Sequence, residues 1–341
     1  MHDDIFDVSD TEEQKARLIS TSAPSRTKLE SPGGNSVKRK ASVPAEPSGS
    51  GGSIKLLRGS EPAVPEAEVA PECRTDMHFA TAEDKGSRLE MEDICIVLPD
   101  ARQDKQNSCR VSYMAVFDGH AGQQVAQMTS RKLHSNVISQ GLLAAASLQG
   151  TSLGSHQIVL DIKAMRKAIS AGFALTDQQV LAQAEQHRWV GGAVCAAAWI
   201  VDNTVFVANV GDVSCVLART ADTESSAVPK AIVLTKEHKA LFPAERKRIE
   251  KAGGIVTNAR LQGKTEVSRS FGNIHYKRLG MSAVPDIQDA VKVVADLCQT
   301  GRPLKSVCER LVYMAVRERR CKDNCTVLLA SFNRENAVIP D

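Results

Sequence analysis

The chain has 341 residues, of which 42% are hydrophobic and 24% charged, and a formal net charge of +3. This is the balance of a soluble globular protein with one large domain or two small ones. So small a positive charge, with three Tyr and two Trp to stack on bases, argues against a dedicated nucleic-acid surface.

No apolar run approaches the ~20 residues that cross a bilayer, and the acidic start MHDDIFDVSD lacks the apolar segment of a secretory signal. Nine cysteines are scattered without close zinc-type pairing. Cys195, Cys215 and Cys325 sit in apolar runs and read as buried thiols, and Cys321 with Cys325 is not expected to hold a metal. Reduced cysteines point to the cytosol or nucleus.

Residues 1–74 are rich in Ser, Pro, Gly, Glu and Lys and read as a disordered tail, because they cannot bury enough apolar surface to offset chain entropy. Within them Lys38-Arg39-Lys40 precedes Ser42, which fits a nuclear import signal as well as plain solvated charge. A folded domain is expected over 75–335, with a short tail at 336–341. Ile94 to Leu98 reads as a strand ended by Pro99-Asp100, and Val111, Tyr113, Ala115 and Phe117 alternate along a second strand that stops at Asp118-Gly119.

Helical spacing follows over 123–140 and again through Ile162, Met165, Ile169, Phe173 and Val180. Ala196–Val201 and Thr204–Ala208 form a hairpin about Asp202-Asn203, with further strands at Ser214–Leu217 and Ala231–Leu234. A short helix begins at Pro243 and stops at Gly253-Gly254. Helices over about 289–299 and 303–319 lead to a last strand, Thr326–Ser331. Strand runs segregated from helix runs favour stacked sheets with helices outside.

Arg88 and the adjacent acids Glu92 and Asp93 lie just before a strand, and Asp118 closes another. Carboxylates are hard oxygen ligands suited to magnesium or manganese, and a guanidinium fork matches phosphate oxygens. Gly119 lets a carbonyl approach a metal, His120 can exchange a proton near neutral pH, and Asp323-Asn324 precedes the final strand. Taken singly, each is an ordinary turn or solvated charge.

Jointly, EDKGSRLEMED, VFDGHAG, VFVANVGD, LTKEHKALFPAERKRIEKAGG, GKTEVSRSFGN, the VPDI run and RRCKDNCT resemble the metal-dependent protein phosphatase 2C family, above all its plant members, over about residues 77–333. The resemblance implies an α+β fold, a central antiparallel β-sandwich flanked by α-helices on both sides. It also implies a two-ion magnesium or manganese site that hydrolyses phosphoserine and phosphothreonine with metal-activated water. By position, Asp118 would bridge both ions with the Gly119 carbonyl, Glu92 helped by Asp93 would hold one, and Asp323 the other. Arg88 would bind the phosphate, His120 would protonate the leaving alkoxide, and Glu237 would serve a weaker third ion. The partners implied are phosphorylated proteins, protein kinases among them, for a monomer with no membrane or nucleic-acid role.

The chain departs from the family at Gly191-Gly192-Ala193-Val194, at Val213-Ser214, and at Asn273, where the family usually carries Asp. A larger departure follows Val284-Pro285-Asp286-Ile287: an apolar strand and its Cys-Asp-Gly-aromatic turn are absent, and Gln288 runs directly into Asp289. One core strand and one metal-ligand aspartate are therefore missing. Asp289 is expected to start a helix, with a looser alternative that it replaces the lost acid. An edge or gap in the sheet, with Asp118 and Asp323 still close together, and a weakened metal site are expected. The rival is a catalytically weak relative that binds phosphoproteins or a kinase; a metal-dependent nuclease fits the acids but not the charge balance.

Overall fold

The computed structural model describes residues 75–102, 109–150, 156–202, 204–219, 230–291 and 303–334. The segments read as tails, 1–74 and 336–341, lie outside the described residues, as do residue 335, Asn203 of the hairpin turn, and 292–299 of an expected helix.

In chain order the elements are β1 (Thr75–Asp84), β2 (Ile94–Leu98), β3 (Val111–His120), α1 (Gln124–Ser139), β4 (Ala146–Gly150), β5 (His156–Leu160), α2 (Ile162–His187), β6 (Gly192–Val201) and β7 (Thr204–Val210). There follow β8 (Val216–Arg219), β9 (Lys230–Val233), α3 (Pro243–Lys251), β10 (Val256–Thr257), β11 (Arg260–Leu261), β12 (Phe271–Gly272), α4 (Ile274–Lys277), β13 (Asp286–Val291), α5 (Leu304–Tyr313) with a π-turn over Met314–Glu318, and β14 (Cys325–Arg334).

The alternation along β3 does what it predicts: Val111, Tyr113, Ala115 and Phe117 are buried. They form one core with Trp199 and Phe206 of the neighbouring strands and with Leu133, Val137, Met165, Ile169 and Phe173 of the two long helices. A six-stranded antiparallel sheet runs β13-β7-β6-β3-β2, and β12 also pairs with β6. Asp161 caps α2, its carboxylate accepting the Ala164 N–H at 2.9 Å.

The second sheet holds β1 and β14, in register from Thr75 opposite Arg334 to Asp84 opposite Cys325. α5 packs on this pair, and β2 meets β14, so helices lie on both sides of stacked antiparallel sheets. Among the described residues β14 pairs only with β1.

One expectation fails. Asp289 does not begin a helix: it lies inside β13, which pairs with β7 along its whole length. The short segment Ile287 to Val291, with two polar residues among its five, is completed as a strand by pairing with β7, a long-range partner invisible in local sequence. By register the backbone of Asp289 lies far along the sheet from Asp118. It stands opposite Phe206, which stands opposite Trp199 and then Tyr113, five residues up β3 from Asp118. At ~3.3 Å per residue that is roughly 17 Å from the strand end where the acids gather. Smaller differences are that β8 starts at Val216, not Ser214, and that Cys215 and Cys325 are half-buried while Cys195 is fully buried.

A second, smaller core of Val194, Ala240, Ile249, Leu261, Val267 and Met281 holds the segment from α3 to β13 together. Its polar anchor is Glu245. This buried carboxylate takes hydrogen bonds from Ser268 Oγ at 2.6 Å, Arg248 Nη1 at 2.6 Å and Arg269 Nη2 at 2.7 Å. Arg269 also reaches Asp286 Oδ1 at 3.0 Å. The buried His238 accepts the Gly211 N–H at 3.1 Å and turns its Nε2 toward Asp286 Oδ2, 3.2 Å away in a poorly aligned contact. The network ties this segment to the last residues of β7.

Candidate active site

Four elements deliver acids to one end of the sheets. β3 ends in Asp118, the loop before β2 carries Glu92 and Asp93, Asp323 precedes β14, and Asp212 follows β7. Asn324 clasps the loop, its Oδ1 accepting the Glu92 N–H at 2.8 Å and its Nδ2 donating to the carbonyls of Lys85 and Glu90 at 3.0 and 3.1 Å. Glu92 Oε1 accepts the Gly122 N–H at 2.7 Å, and Asp93 accepts the Thr326 hydroxyl at 2.7 Å. Gly119 leaves no room for a side chain, since a Cβ there would lie 2.6 Å from the Glu92 carbonyl oxygen.

Arg88 pairs with Asp323 at 2.7 Å, both side chains more than half exposed. His120 points its Nε2 at Asn273 Oδ1, 2.8 Å away. Glu237 stands apart from Asp118: it is half exposed and paired with Lys239 at 3.1 Å, and its charge bears on Asp212. Asp212 is the functional candidate the motif reading passed over. Its signal was present, an apolar strand ending in Gly-Asp just as β3 ends in Asp-Gly.

Electrostatics marks Asp118 as the centre. Its carboxyl is pushed up to about 7, first by hydration lost to the surrounding protein and then by the charges of Asp93, Asp212, Asp323 and Glu92. One side of the group remains open to solvent, and among the described residues its carboxylate makes no hydrogen bond or ion pair. Burial likewise raises Asp93 and Asp212. No group of three or more acidic, His or Cys side chains among the described residues is gathered tightly enough to hold a metal as it stands. Even so, an oxygen-only donor set with unrelieved repulsion fits a hard divalent cation.

A pH dependence follows for protein kept in a chelator. A raised carboxyl pKa stabilises the fold most below the unfolded value, 3.8 for Asp118, and that contribution is lost as pH rises through about 7. Glu245 has the opposite sign. Burial pushes it up, but hydrogen bonds from Arg269, Ser268 and Arg248 outweigh this and hold it at about 2, so its stabilisation is present above 4.5 and lost as pH falls through 2. The melting temperature should therefore fall from about pH 5 to about pH 8 and flatten when manganese is added. Burial holds His134 and His238 below their ordinary values and works the other way in this window, so the profile is compared with that of Asp118→Asn, which should lose part of the fall; an unchanged slope in that variant would show that the acids do not repel one another.

Acids at strand ends beside an arginine thus sit on stacked antiparallel sheets with helices outside. Residues 77–298 match the family described as Protein phosphatase 2C. The chain is 38% identical over 331 residues, 87% of its length and 91% of the relative's, to "Probable protein phosphatase 2C 8" of Arabidopsis thaliana. It is 38% identical over 291 residues, 76% of each chain, to "Probable protein phosphatase 2C 67" of Oryza sativa subsp. japonica. A solved serine-threonine phosphatase 2C from Toxoplasma gondii shares the fold with a TM-score of 0.59, covering 75% of this chain and 95% of that one at 18% identity. The chain belongs to the protein phosphatase 2C family.

Proposed function

We propose that the chain is a metal-dependent protein serine/threonine phosphatase that hydrolyses phosphoserine and phosphothreonine. The observation that carries this reading is Asp118 ringed by Glu92, Asp93, Asp212 and Asp323, with Arg88 against Asp323, in a chain of this family. Asp118, Asp323 and the Gly119 carbonyl, with Glu92 and Asp93 alongside, are the groups that would hold magnesium or manganese, and Asp212 with Glu237 a further ion. A divalent ion bound there supplies neutralisation of phosphoryl charge and a lower pKa for water.

Arg88 takes the substrate phosphate in its fork. Its pair with Asp323 is exposed, and such pairs are worth only about 0–1 kcal/mol, so phosphate displaces the carboxylate at little cost. His120 gives its proton to the departing alkoxide. With the family's aspartate missing from the sequence, metal affinity and turnover are reduced. Phosphoproteins, protein kinases among them, are the partners, and the scattered cysteines of the sequence favour the cytosol or nucleus as the compartment.

Incubated with a phosphothreonine peptide and manganese, the chain should release inorganic phosphate. Peptide binding with no release at any manganese concentration would put the binding-module reading in place of the phosphatase.

A further inference from the structure

We propose that Asn273 is the positioning residue for His120: its side-chain oxygen holds the Nε2–H, so the protonated ring gives its Nδ1 proton to the leaving group and is left as the neutral Nε2–H imidazole. The role in turnover rests on the phosphatase reading above, but the ring geometry does not. Asn273 Oδ1 lies 2.8 Å from His120 Nε2 and 2.7 Å from Ser270 Oγ, whose one proton is also within reach of Met281 Sδ at 2.8 Å. An amide oxygen only accepts, so the imidazole nitrogen facing it is a donor. His120 Nδ1 makes no hydrogen bond among the described residues, so it is the free end of the ring.

The acceptor is held in place from several sides. Asn273 is itself buried. Its backbone adopts the left-handed conformation, φ 48°, which Asn tolerates better than most residues. Its N–H donates to the Gly191 carbonyl at 2.8 Å. Gly192, opposite His120 in the sheet, clears the space between the two side chains: a Cβ there would sit 2.0 Å from Asn273 Oδ1 and 2.7 Å from His120 Nε2.

On the far side, Asp177 of α2 accepts the Gly272 N–H at 3.0 Å and pairs with Lys277 at 2.7 Å, and Lys277 donates to the Ser270 carbonyl at 2.8 Å. A buried helix residue thus holds Gly272 directly and Ser270 through Lys277. A neutral amide does this without adding another negative charge beside the acids around Asp118.

The test is the tautomer of His120, read by nitrogen NMR on histidine-labelled protein without metal, with His120→Gln identifying the signal. The full chain should show a protonated Nε2 and a bare Nδ1 in neutral imidazole. Asn273→Gly keeps the left-handed backbone while removing the amide, so it should scramble this preference; Asn273→Asp restores an acceptor oxygen and should recover it. With manganese, Asn273→Gly should slow alkyl phosphates by a substantial part of the ~10²–10⁴-fold that general acid help provides, and aryl phosphates far less. A protonated Nδ1 in the unaltered chain overturns the proposal. So does a glycine variant that folds and keeps the original tautomer. If the chain fails to turn over at all, the phosphatase reading falls while the NMR result still decides this one.

Discussion

Asp118→Asn should abolish manganese binding in calorimetry and, at about pH 8 in chelator, raise the melting temperature. Both effects follow from its carboxyl being pushed up to about 7 by lost hydration and four neighbouring acids. At that pH the group is charged and repelled, so a neutral isostere relieves the fold, by ~2–4 °C for each kcal/mol of repulsion removed. The gap should narrow as pH falls toward 3.8, below which Asp118 is protonated in both the folded and the unfolded chain. With manganese present the order reverses, because only the aspartate gains from the ion. The activity loss should exceed the ~10–100-fold typical of residues that merely support a metal ligand. Unchanged manganese affinity in the asparagine protein would remove Asp118 from the centre of the site. Such opposition between stability and function is what a cluster of like charges at a working site entails.

Glu245→Ala should be the most destabilising single change among the charged residues discussed. The carboxylate is buried and answers Ser268, Arg248 and Arg269 at once. Removing one partner of a buried pair leaves the other charge uncompensated, at about 3–5 kcal/mol. A domain of this size should then melt about 6–20 °C lower. Because the same network reaches His238 and the Gly211 N–H, beside Asp212, affinity for the more weakly held ion should drop as well. A melting point within a degree or two of the original would mean that Arg269 is satisfied by Asp286 alone.

The features legible in the sequence are those set by local period and strand ends. The alternation through Phe117 fixed β3 and delivered Asp118, and the helical spacing of Ile162 to Val180 gave α2. What escaped depends on partners distant in the chain. Ile287 to Val291 is too short for period alone to separate strand from helix, and only β7 decides it. The β4–β5 hairpin passed unread because His156–Leu160 offers no clear turn pair or alternation before it. Asn273 was visible as an exchange of amide for acid, but its contact with His120 spans 153 residues of sequence and needed the fold. Asp212 was missed for a different reason. Its motif was read for resemblance, not for the carboxylate at its end.

The pairing of β1 with β14 also governs when the protein can become itself. These strands lie at opposite ends of the described chain, and between them they carry the Arg88 loop and Asp323. As the polypeptide emerges from the ribosome, β3, β6 and β7 can collapse on α1 and α2 long before β14 has been made. The first sheet must therefore wait with β1 unpaired, a nascent intermediate whose loose strand invites the wrong partner. Closing so long a loop is entropically slow. The catalytic centre is then the last thing to assemble, and a chain interrupted before Asp323 would carry a nearly complete core with no working site.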